Sequence, residues 1–63
     1  MFLDELIERM NDKTFITIIS YHTKKFIDDG YKDDILDNEL IQNSYVNQID
    51  TLGRNHIRVQ VSQ

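Results

Sequence analysis

The stretch "TFITIISY", residues 14–21, constrains this chain more than any other. It consists of β-branched, aromatic and small polar residues and carries no charge, which fits a pleated, buried strand. Ile16 and Ile18 fall on one side, and Phe15, Ile19 and Tyr21 on the other. Both sides are apolar, so the segment belongs inside a sheet. At an edge it would recruit other chains. The chain has 63 residues with which to cover it.

The remaining elements follow from periodicity. In "FLDELIERM", residues 2–10, Leu3, Leu6, Ile7 and Met10 recur at helical spacing, with Asp4, Glu5, Glu8 and Arg9 on the opposite side. Asp4 and Glu5 lie where a helix start favours negative charge. A helix of two to three turns is marginal alone, so it must dock. "Asn11-Asp12" stops it. Residues 22–24, "HTK", make a tight connection into a poorer strand over 24–29, which Gly30 punctuates.

"DDILDNELIQ", residues 33–42, reads as a short helix with Asp33 or Asp34 as cap, or equally as two shorter turns. Ile35, Leu36, Leu40 and Ile41 are its candidate inner side. "SYVNQIDT", residues 44–51, is a strand whose alternation is reconciled if a bulge brings Val46 and Ile49 to one face. "LGRN", residues 52–55, is a loop. "HIRVQV", residues 56–61, alternates cleanly: Ile57, Val59 and Val61 in, His56, Arg58 and Gln60 out.

The expected fold is a single small α+β domain of order α-β-β-α-β-β, an antiparallel sheet with a helix packed on one face. Its core should join Ile18, Ile57 and Val59 to Leu6 and Met10. One helix covers one side, so the other apolar face of residues 14–21 should stay open unless the second helix, a partner or a second copy closes it.

Composition narrows the function. There is no cysteine, which removes disulfides and thiolate zinc sites. No signal pattern opens the chain, and no apolar run approaches the roughly 18 residues of a membrane span. A soluble, cytoplasmic protein is the expectation. The net charge is −4, and residues 28–39 alone carry −5. Lys24-Lys25 and Arg54/Arg58 are too few for a basic track, so direct nucleic-acid binding and acidic membranes are disfavoured.

The acidic stretch "FIDDGYKDDILDNEL", residues 26–40, contains Asp28, Asp29, Asp33, Asp34, Asp37 and Glu39, interrupted by Lys32. It fits no EF-hand register. Starting at Asp28 puts Gly30 and Lys32 where oxygen ligands belong; starting at Asp33 puts Asn38 at the glycine and Ser44 at the closing glutamate. Paired catalytic carboxylates need contrasting environments, which this stretch does not supply. His22 and His56 could meet if the first and last strands pair, but a metal needs further ligands. Ser20, Ser44 and Ser62 have no triad context, and the two glycines form no phosphate loop. No catalytic, metal or cofactor site is expected. The acids read either as a solvated edge or, with Tyr31 as an anchor, as a face that meets a basic partner.

"FLDELIERMNDKTFITI" and the later "YVNQID" and "HIRVQV" resemble a type of small protein encoded by phages and prophages of Gram-positive bacteria. These begin with a short amphipathic helix, break at a polar turn and enter a hairpin. The resemblance implies a non-enzymatic protein that binds and inhibits or modulates a host protein. Some members are anti-CRISPR inhibitors that occupy a nucleic-acid-binding surface of a defence nuclease. This chain is less acidic than strong DNA mimics. The alternative is a self-associating structural or accessory subunit, such as a homodimer built on its exposed sheet face.

Overall fold

The computed structural model describes all of residues 1–63. Helix α1 spans Leu3–Glu8, strand β1 Phe15–Ser20, β2 Phe26–Gly30, helix α2 Lys32–Leu36, β3 Tyr45–Gly53 and β4 His56–Ser62; a single 3-10 turn covers Glu39–Ile41. The α+β order matches the sequence reading. The four strands lie in the order β2-β1-β4-β3.

One feature of the expected sheet is corrected. It is mixed rather than antiparallel throughout, because β1 and β4 run parallel at its centre. The apolar registers explain the pairing. Ile16 lies opposite Ile57 and Ile18 opposite Val59, so two clean apolar faces meet side by side. β2 and β3 then add as antiparallel edges. The doubly apolar β1 occupies an interior position.

Ile16, Ile18, Val59 and Val61 form one buried cluster with Leu3 and Ile7 of α1, Ile35 of α2, and Ile41. Leu6, Met10 and Ile57 border this cluster without being fully enclosed. The start of α1 is stitched to the start of β3. The Leu3 N–H donates to the Ser44 carbonyl at 2.8 Å, and the Val46 N–H donates to the Met1 carbonyl at 2.9 Å.

The expected bulge in β3 is present. Val46 pairs with Val61 and Gln48 with Gln60, which leaves Asn47 over, and Ile49 then pairs with Val59. Val46 and Ile49 thus share the helix side of the sheet.

The segment 33–42 resolves into two turns. α2 begins at Lys32 with Tyr31 as its N-cap, two residues before Asp33 and three before Asp34, the expected caps. Its first residue follows Tyr31, whose N–H donates to Asp34 Oδ2 at 3.1 Å. Asp34 therefore reaches back from the third helical position, the reciprocal half of a capping box. Gln42 holds the two turns together, its Nε2 donating to the Ile35 carbonyl at 2.7 Å and the Asn38 carbonyl at 2.8 Å. Each of these carbonyls also accepts a backbone N–H, from Asn38 and Ile41 respectively, so Gln42 adds a second bond to both.

Candidate functional site

The acidic residues come to different places. Asp28 and Asp29 are successive residues of β2 and so point to opposite faces. Asp28, opposite Ile18, lies on the helix side and accepts from Asn38 Nδ2 at 3.0 Å. Asp29, opposite Thr17, lies on the helix-free side. Asp33, Asp34, Asp37 and Glu39 are all exposed on α2 and the turn after it. Asp34 is engaged in capping. None of the six forms an ion pair; Lys32, the one base among them, lies 3.9 Å from Asp12 instead. Asp33, Asp37 and Glu39 thus form an uncompensated acidic lobe.

Leu40 corrects the expected inner side of this segment. It is 89% exposed, whereas Ile35 and Ile41 are buried. The helix ends at Leu36, and the 3-10 turn that follows rotates Leu40 outward. A continuous helix over 33–42 would have put Leu36 and Leu40 on one face. A large apolar side chain therefore stands in solvent directly after Glu39, three residues from Asp37.

Tyr31 sits on the helix-free side with its ring edge-on to Phe15 at 5.4 Å, and Phe15 meets the His56 ring at 5.2 Å. Tyr31 is about half exposed, so it borders the acidic lobe while packing on Phe15.

The two histidines do not meet. β1 and β4 pair as the histidine argument required, but in parallel. His56 begins β4 beside Phe15, and His22 follows the far end of β1. His56 Nε2 lies 3.0 Å from Thr17 Oγ1. A cleft of 380 Å³ lined by Ser20, His22, Ile27, Val61, Ser62 and Gln63 opens near His22. No three His, Asp or Glu side chains converge in a metal-ligating cluster.

The helix-free face of the sheet differs from the bare apolar patch expected of it. Ile19 is only 9% exposed. Its direct neighbours across the sheet are Gln60 and Phe26. Lys24 adopts a left-handed backbone, with φ 62°, at the end of the connection from β1. Its Nζ donates to Gln60 Oε1 and stands 4.5 Å from the centre of the Tyr21 ring. Lys24 and Gln60 thus cover the part of this face around Ile19, while Phe26 beside it stays 62% exposed and Tyr21 and Tyr31 are also exposed.

Asp50 anchors the polar network. Its carboxylate accepts from Gln48 Nε2 at 2.7 Å, Gln60 Nε2 at 2.7 Å and Arg58 Nε at 3.1 Å. These donors, the Gln48 amide foremost, hold the Asp50 carboxyl at about 2, below its ordinary 3.8, against the opposing effect of partial burial. Alternation places Arg58 and Gln60 outward, yet Gln60 is buried, and nothing in the sequence singles out Asp50 or Gln48. The signal was the register, which strand alternation alone does not give.

No helix is long and apolar enough to cross a membrane. No protein-family model, curated protein or solved structure matches the chain.

Proposed function

We propose that the chain is a non-enzymatic phage-type protein that binds a bacterial host protein through the acidic lobe of α2 and its following turn, and so inhibits or modulates it. The observation that carries this reading is Leu40, 89% exposed beside the unpaired carboxylates Asp37 and Glu39. An apolar anchor within a charged rim is how protein interfaces are built: the anchor supplies burial, and the rim supplies steering. Burying one leucine is worth roughly 1.5–3 kcal/mol.

The partner surface is basic with an apolar recess. The nucleic-acid channel of a defence nuclease is one surface of that chemistry, consistent with the anti-CRISPR resemblance. Affinity capture from a Gram-positive host lysate tests the reading. Wild type should retain a protein with a basic face. Leu40→Ala and the double reversal Asp33→Lys/Asp37→Lys should each lose it. Equal retention by all three baits would contradict the proposal.

A further inference from the structure

The sheet order leaves β3 as an edge, and its outer side is only partly covered. The Met1 carbonyl accepts the Val46 N–H, and Phe2 bridges Tyr45, so residues 1–2 occupy the edge beside 45–46. From Asn47 to Thr51 no other strand lies outside β3. Ile49 is 48% exposed there, although Val59 directly opposite is fully buried. The core apolar face thus runs out to an open edge.

We propose that this free segment is a homodimer contact in which two copies pair antiparallel about Ile49, joining their sheets. Charge placement favours a second copy despite the net −4 of each chain. Between Asn43 and Gly53 the only charged residue is Asp50, and Arg58 pairs with it. The uncompensated acids sit around β2 and α2, at the opposite edge of the sheet. Joining at β3 keeps the two acidic lobes apart.

The register follows from symmetry. Antiparallel pairing of one edge with itself places a two-fold axis perpendicular to the sheet, so like faces stay together. A register centred on Asp50 sets two carboxylates directly opposite, which is unfavourable. One centred on Gln48 needs the Val46 edge, which Met1 already occupies. Centring on Ile49 sets Gln48 opposite Asp50 of the second copy, donor to acceptor, twice. It also stacks the two Ile49 side chains and carries Leu52, 47% exposed, towards Phe2 of the second copy. The free segment 47–51 is itself centred on Ile49. A contact this short falls in the small interface class, so the dimer is weak and forms at high protein concentration.

This edge is separate from the acidic lobe, so the contact and the proposed partner binding stand or fall independently. The chain has no cysteine, so single-cysteine variants report the register directly. In an antiparallel pair the facing Cα atoms are about 4.5–5.5 Å apart, within disulfide range. Under mild oxidation at high concentration, Ile49→Cys should form a covalent dimer. Asn47→Cys and Thr51→Cys should not, because each lies about 13 Å from its own counterpart along the strand. Mixed together, those two should cross-link. Sedimentation of wild type should show a reversible dimer that Ile49→Lys abolishes while its circular dichroism spectrum is retained. Equal cross-linking at all three positions, or a wild type that stays monomeric up to about 1 mM, a concentration at which even a weak contact populates dimer, would overturn the proposal.

Discussion

Gly30 and Asp34 are packed so closely that a Cβ on the glycine would lie 2.7 Å from the Asp34 Cβ. Gly30 also has φ 148°, which L side chains rarely adopt. The two residues join β2 to α2: the chain leaves the sheet at Gly30, and Asp34 turns back to cap Tyr31. Gly30→Ala should therefore destabilise by roughly 1–3 kcal/mol from backbone strain alone, with the overlap adding to it. A urea midpoint unchanged from wild type would show that this junction tolerates a side chain.

Ile18 is fully buried opposite Val59 at the centre of the parallel pair. Ile18→Ala should cost about 2–5 kcal/mol. That is a large part of the 5–15 kcal/mol typical of small domains. Thermal melts of the two proteins check it, and coincident curves would contradict the placement.

Asp50 should make stability depend on acid. Its folded value of about 2 lies below its unfolded 3.8, so its contribution is complete above about pH 4 and is lost as pH falls through about 2. Asp50→Asn should remove this part of the acid dependence, giving a shallower decline in that window. Acid titrations of wild type and variant, followed by circular dichroism, should diverge there. Parallel curves would mean that the Gln48, Gln60 and Arg58 bonds do not persist in solution.

Much of this architecture was legible in residues 2–21 and 44–61. The helical spacing of Leu3 and Ile7 and the doubly apolar β1 point to a helix and an interior strand, and the ambiguous alternation of Val46 and Ile49 is reconciled by a bulge, which is present. The parallel β1–β4 pair was not legible. Each strand is followed or preceded by a hairpin connection, and nothing local states which non-adjacent strands then meet. The sequence leaves 33–42 open between a helix and two turns, because the two turns are held by Gln42 reaching carbonyls four and seven residues back. A continuous helix turns Leu40 inward beside Leu36, whereas the 3-10 turn leaves it in solvent. The acidic residues were visible as a run, but their division between two sheet faces and a separate lobe required the register of β2.

Leu40→Ala should leave folding unchanged within about 0.5 kcal/mol, since the side chain it removes is in solvent. Chemical denaturation checks this. A larger loss would make Leu40 part of the fold and remove it as a docking anchor.

The most direct test of the acidic lobe is the association rate of the chain with its captured partner, measured across a salt series. Asp33→Lys/Asp37→Lys is the informative variant, because reversing Asp34 would also remove the Tyr31 cap. Charge steering predicts that wild-type association slows steeply as salt rises, and that the variant associates more slowly at low salt with a flatter dependence. Identical rates and identical salt slopes for the two proteins would contradict docking through this lobe.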